Sequence, residues 1–401
     1  MSSPVRPTRL RTGFALGLLA LAVVAWAIVL ARQFREAPVQ KHIDAAIEYT
    51  NAGQARQAER EWREALRAAP NNADAWEQLG ELYASAHDWP RAVEAFQRLQ
   101  QLKPETPHVY ERLAAASLRT GNEVAALKYS QEELRRDPDN ITALAITGFL
   151  YGDMGDKEKQ LQSLRRLVQV RPNEMDFLLM LGEALVNQQK YTEARPIADR
   201  ILEQNPDSSF ATMWRGLILL NTDHTPQGEA QAEADLLRAL QLNPQNRLPR
   251  LYLGQLYRRQ KKLDRAVAEL EEAARLMPGR TAVFYELAGA YAQAGQSQKA
   301  AQAQARFKAL EQERDRLGHL EELCAANPND FDAHLQLGLT MLQRGDIRRA
   351  SSHLTSALRL RPNDARVRTA LQTLSAQTGM AGPDALLRNR TGEAAPAAPP
   401  Q

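Results

Sequence analysis

Residues 73–106 read ADAWEQLGELYASAHDWPRAVEAFQRLQQLKPET, and this stretch decides the fold. It ends at a proline, Pro104, and prolines recur at that interval along the chain. They stand at Pro70, Pro104, Pro138, Pro172 and Pro206, each 34 residues after the last. The series continues with Pro244, Pro278, Pro328 and Pro362, with Asn ahead of several, as in Asn205-Pro206, Asn243-Pro244 and Asn327-Pro328. Proline disfavours a helical residue before it and cannot extend the hydrogen-bond ladder, so each marks a helix end. A stop every 34 residues leaves room for two helices of about a dozen residues and a tight turn.

Counting 34-residue units from Val39 exposes the rest of the pattern. Position 8 is Ala46, Gly80, Ala114, Gly148, Gly182, Gly216, Gly254, Ala288 and Gly338, never larger than a methyl side chain. Position 20 is Ala58, Ala92, Ala126, Ala194, Ala232, Ala266, Ala300 and Ala350, with Gln160 as the exception. Small residues at both places let the two helices of a unit cross closely while larger ones fill the surrounding space. Those larger residues recur at position 7 (Leu79, Leu113, Leu181, Leu253) and position 11 (Tyr49, Tyr83, Tyr151, Tyr257, Tyr291). Glycines at Gly53, Gly121, Gly155, Gly295 and Gly345 fit a left-handed turn closing the first helix.

In residues 73–106, Trp76, Leu79, Gly80, Tyr83, Ala92, Phe96 and Pro104 stand at the signature positions of the tetratricopeptide repeat, which the chain resembles over residues 39–364. The resemblance implies an all-α, right-handed superhelical solenoid of about nine helix-turn-helix units, lined on its inner surface by the first helices. Residues 365–378 then form a capping helix, and the Ala/Pro-rich tail 379–401 is expected to be disordered. Two units depart from the period. Four extra residues in Asn221–Gly228 predict a turn-rich loop between the helices of unit six. Unit eight (281–330) is 16 residues too long, which predicts an extended second helix with a break at Gly318.

Composition excludes several functions. With 51 basic and 48 acidic residues interleaved, the surface offers no basic stripe for nucleic acid. No phosphate-cradling loop or dinucleotide fingerprint is present, so no cofactor, small-molecule substrate or enzymatic role is expected. The seven histidines are scattered among units without the spacing that puts two ligands on one helix face, and no metal site is expected. His334 is read as a packed ring, and the sole cysteine, Cys324, as a small buried apolar residue.

What such an array offers is recognition of partner proteins. The resemblance implies that positions 2, 5, 9 and 12 of each unit face the groove. A carboxylate clamp of the kind that grips chaperone tails is absent, because units two and three offer Glu77, Glu81, Glu111 and Ala115 there. Unit two presents an acidic surface and unit seven a basic one at Arg258. Between them Phe149, Leu179, Phe210, Met213 and Leu217 form an apolar strip, the candidate binding surface for an amphipathic helix or extended apolar segment, the alternative being that packing between neighbouring units takes up Phe149 and Leu217.

At the amino terminus, residues 13–31 (GFALGLLALAVVAWAIVLA) carry no charge and are long enough to span a bilayer. A soluble core helix would need a polar face, and a cleaved leader would need its small-x-small site outside the apolar run. Ala25-Trp26-Ala27 lies inside it. A transmembrane signal anchor is therefore expected, between a basic tail (1–12) and a linker (32–38). Arg6, Arg9 and Arg11 nearly tie with Arg32, Arg35 and Lys41 in the positive-inside count. The short leading tail favours an inside amino terminus, hence a single-pass protein of a bacterial inner membrane with its solenoid in the periplasm, the cytoplasm being the alternative. The expected role is a membrane-anchored scaffold or assembly factor for membrane-associated partners. The alternatives are a regulatory adaptor of a cell-envelope pathway and a non-catalytic subunit of an enzyme complex. In plan the chain is similar to lipopolysaccharide-assembly proteins with an anchor and such repeats. It lacks their CxxC metal domain, having one cysteine in total.

Overall fold

The computed structural model of the chain describes residues 39–378. The segments 1–12, 13–31, 32–38 and 379–401, with the expected anchor and tail, lie outside the described residues. No helix among the described residues is long and apolar enough to cross a membrane. Those residues are helical with short turns and contain no strand.

The chain divides between Thr147 and Gly148 into two compact bodies. The first holds α1 (39–51), α2 (Ala55–Ala68), α3 (Ala73–Ser85), α4 (Trp89–Leu102), α5 (Val109–Arg119) and α6 (Glu123–Arg136). Helix α7 (Ile141–Asp153) carries the division. The second body continues with α8 (Lys157–Val170), α9 (Met175–Asn187), α10 (Tyr191–Gln204), α11 (Ser209–Thr222) and α12 (Pro226–Leu242). It ends with α13 (Leu248–Arg259), α14 (Leu263–Leu276), α15 (Thr281–Gln293), α16 (Ser297–Ala326), α17 (Phe331–Gln343), α18 (Ile347–Leu360) and α19 (Ala365–Thr378). Within each body successive helices pack on one another, the stacking expected of a repeat solenoid.

Local chemistry sets the helix ends. Side chains of Asn72, Asp88, Asn122, Asp156, Asp330 and Asp346 accept a backbone N–H three residues on, satisfying donors that the first turn leaves free. The inter-helix turn places position 15 of the unit at positive φ: Gly53, Gly121, Gly155, Gly295 and Gly345 adopt φ between 69° and 76°. His87, Gln189 and Lys261 occupy the same turn position at φ 58°.

Packing explains the small residue at position 8. A β-carbon on Gly80 would lie 2.5 Å from the Phe96 ring, and the pairs Gly148–Leu164, Gly254–Leu270 and Gly338–Leu354 repeat the arrangement at 2.7, 2.4 and 2.8 Å. The large side chain that fills the crossing at Gly80 is thus Phe96, one turn beyond Ala92. Unit five varies the solution: its equivalent of Phe96 is Ala198, and Trp214 from the next unit fills the space, 2.5 Å from a β-carbon on Gly182. Tyr83 and Tyr257 donate their hydroxyls across a unit boundary to Glu59 (3.1 Å) and Glu233 (2.8 Å).

Two expectations are corrected. The extra residues of unit six build no long loop. They lengthen the helices, α12 running 17 residues, and leave only residues 223–225 between α11 and α12. Thr225 caps α12 through Gly228 N–H while Asp223 accepts from Thr225, so the segment closes as a compact turn. Helix α16 runs unbroken for 30 residues. It passes through Gly318 because a single glycine weakens a helix without stopping it, and Leu310, Leu317 and Leu320 are buried along it.

Candidate binding cleft on the first-helix layer

In the second body the first helices of successive units also touch one another, α9 to α11, α11 to α13 and α13 to α15, and so form a layer. A cleft of about 690 Å³ opens on it, lined by Leu220, Asn221, Gln255, Arg258, Arg259 and Lys261 among others. Gln255 and Arg258 stand at groove positions 9 and 12 of unit seven, and Leu220 at position 12 of unit six. A smaller hollow shares Arg258 and is bordered by Tyr285, whose side chain is 57% exposed.

Charge in the cleft is largely organised by internal pairing. Arg258 Nη2 lies 2.7 Å from Glu286 Oε2, and Gln255 donates to the other oxygen at 3.1 Å. Arg259 pairs with Glu229 at 2.8 Å and donates to the Leu220 carbonyl at 2.6 Å. Gly289 makes room for Arg258: a β-carbon there would meet its Nη1 at 3.2 Å. Lys261, exposed on its left-handed turn, makes no ion pair among the described residues. Three cations against Glu286 and Glu229 leave the cleft net positive, suited to a segment bearing a carboxylate beside apolar groups.

The structure separates the expected apolar strip into two sets. Phe210 is 50% exposed, its ring tilted against Trp214 at 6.4 Å, and Leu179 is half-buried. Phe149 is 41% exposed, but the Arg348 guanidinium lies 5.3 Å over its ring. Met213, expected on the surface, is 3% exposed, and Leu217, for which packing between units was the alternative, is 6% exposed. Packing against neighbouring helices consumes both, and Met213 Sδ accepts from Asn246 at 3.4 Å. On the surface of unit two, Arg112 pairs with both Glu77 and Glu81. Of the repeat signature, Leu79, Gly80, Tyr83, Ala92 and Phe96 are buried. Trp76 is half-buried and donates to the Pro70 carbonyl at 2.9 Å, while Pro104 is exposed and its carbonyl accepts from Arg136 at 2.7 Å. Sequence reasoning missed Tyr285, although it stands at groove position 5 of unit eight and repeat phase was the signal that would have found it.

Comparison with known proteins bears on what such an array is. A family model described as tetratricopeptide repeat matches residues 43–107, 78–141, 150–209, 179–247 and 229–281, together more than half of the chain. Tetratricopeptide repeat protein 37 of Xenopus laevis is 26% identical over 34% of this chain and 10% of the relative. Anaphase-promoting complex subunit 3 of Schizosaccharomyces pombe is 23% identical over 71% of this chain and 40% of the relative. The cytochrome c-type biogenesis protein CycH of Pseudomonas aeruginosa is 30% identical over 27% of this chain and 28% of the relative. The chain thus spans at most two fifths of the length of these relatives. Among solved structures, YrrB, described as a TPR protein with an unusual peptide-binding site, aligns with a TM-score of 0.41 at 20% identity, over 48% of this chain and 98% of that one. The 34-residue period, the helical hairpins with a small residue at each crossing, and the family match agree: the chain belongs to the tetratricopeptide-repeat family, whose arrays act as protein–protein interaction scaffolds.

Proposed function

We propose that the protein is a membrane-anchored scaffold or assembly factor that holds a segment of a partner protein in the cleft of the first-helix layer. The observation that carries this reading is the cleft itself: a net-positive hollow at groove positions, flanked by Tyr285, with Phe210 exposed on the same layer. The partner segment supplies a carboxylate to Lys261 and Arg258 and apolar side chains to the aromatic rings. The uncharged run 13–31 supports a bilayer anchor, which confines the cleft to a membrane surface and raises its effective concentration for membrane-associated partners. Likeness to a cytochrome c-type biogenesis protein supports an assembly role over a purely passive one.

A photo-reactive residue at Gln255 in intact membranes tests the site. It should cross-link to one predominant membrane-associated protein, and Phe210→Ala with Tyr285→Ala should abolish that product without lowering the melting temperature. Undiminished cross-linking in the double variant would remove the cleft from consideration. Topology is a separate question, read by fusing alkaline phosphatase and a fluorescent protein in turn after residue 380. Phosphatase activity without fluorescence is expected for a periplasmic solenoid, and the reverse places it in the cytoplasm.

A further inference from the structure

Three side chains from separate helices meet at the end of the second body. Cys324 lies near the end of α16, His334 in α17 and His353 in α18, and one donor atom of each falls within 4.8 Å of the other two. The imidazole Nδ1 atoms of His334 and His353 stand 3.1 Å apart. Two nitrogen ligands of a tetrahedral zinc site, each about 2.05 Å from the ion, stand about 3.3 Å apart. The hydrogen bonding of His334 fits that role. Its Nε2 lies 3.2 Å from the Pro328 carbonyl, which can only accept, so the ring carries its proton there and presents the Nδ1 lone pair to the cluster. Anchoring of the distal N–H by a carbonyl is the usual outer-shell support of a metal-binding histidine.

The surroundings favour neutral rings. Burial holds His334 below the ordinary imidazole value, burial together with His334 brings His353 down to about 4, and burial pushes the Cys324 thiol up. Of the charged groups nearby, Arg349 pairs with Glu321, while Asp330 and Asp346 cap α17 and α18. A second gathering, His108, Glu111 and Glu133 in the first body, differs. Both oxygens of Glu111 are taken by Asn140 and Thr142, so that cluster is a hydrogen-bonded brace.

We propose that Cys324, His334 and His353 bind a zinc-type transition-metal ion that ties the end of α16 to the α17–α18 hairpin. A thiolate with two imidazoles is a soft-to-borderline donor set, suited to such ions and poor for magnesium or calcium. Without the ion, His353 donates through Nδ1 to the His334 lone pair. On binding, that proton moves to Nε2 of His353, the Cys324 thiol releases its proton to solvent, and a fourth position stays open to water.

Cobalt(II) titrated into the untagged full-length protein in detergent tests this, with zinc as competitor. One equivalent should produce a thiolate-to-cobalt charge-transfer band that zinc abolishes, and zinc should raise the melting temperature. Cys324→Ser should remove the band, and His353→Gln should weaken binding at least tenfold, with both metal-free variants keeping wild-type helicity by circular dichroism. If a variant loses helicity, alkylation of Cys324 with and without zinc in the wild-type chain decides, protection being expected. Absence of the band, unchanged affinity in His353→Gln, or alkylation unaffected by zinc would each overturn the site and leave a plain histidine–histidine hydrogen bond.

Discussion

Gly80 shows how single residues define this fold. Its missing side chain is the space that the Phe96 ring occupies, and Phe96 is itself fully enclosed. Gly80→Ala pushes a methyl into that ring and forces a shift in a packed interior, at a cost of about 1–3 kcal/mol in urea unfolding. Tyr257 serves a different purpose, linking unit seven to Glu233 of unit six. Burial and that hydrogen bond push the phenol up to about 12, so it remains a donor across the accessible pH range. Tyr257→Phe keeps the ring and removes only the donor, and should cost about 1.5–3 kcal/mol because the acceptor is charged. An unchanged midpoint would mean that water replaces the hydroxyl. Residue identity announced both sites, through a small position 8 and a tyrosine at position 11. Phe96 was legible as a signature residue of the unit, whereas the acceptor of Tyr257 was not, because Glu233 lies in the preceding unit.

Among the elements, α16 departs most from the repeat. Its 30 residues carry Ser297 to Ala326 past the point where other units turn, and they bring Cys324 to the last hairpins. Gly318 sits within it with nothing in reach of an added β-carbon. Gly318→Ala should therefore stabilise α16 by about 0.5–1 kcal/mol, through a smaller loss of backbone freedom on folding. Slower amide exchange across residues 310–326 checks this, and faster exchange would show that the helix needs its weak point. The helical character of this stretch was legible, since charged helix formers fill it without a proline. The break expected at Gly318 was not there, because Leu317 and Leu320 hold the flanking turns by burial. Conversely, the left-handed turns at His87, Gln189 and Lys261 were hidden, since only glycine advertises that conformation.

For the whole molecule, the division at Thr147–Gly148 gives the stacking of units a measurable consequence. In a repeat array each unit is held chiefly by its neighbours, so damage spreads to adjoining units and fades. Hydrogen exchange of Gly80→Ala should show lost protection within residues 39–147 and wild-type protection in the second body. Loss spread evenly over residues 39–378 would contradict quasi-linear stability. Among the described residues of the second body, Arg348 reaches Asp153 at 2.5 Å, 195 residues away in sequence, and covers Phe149.

That link marks the line between what sequence determined and what tertiary structure decided. Period, helix pairing, turn positions and the small crossings followed from the chain alone, because each depends chiefly on residues within one 34-residue unit. The surface did not. Met213 and Leu217 stand in groove phase with Phe210, yet neighbouring helices bury them, and burial depends on side chains that no repeat count brings together. The pairing of Arg258 with Glu286 and of Arg112 with Glu77 and Glu81 likewise crosses unit boundaries. Cys324, His334 and His353 lie on three different helices, so their meeting depends on how a lengthened α16 packs against the last two hairpin helices. Local chemistry wrote the repeat, and three-dimensional packing chose which side chains remain available to a ligand.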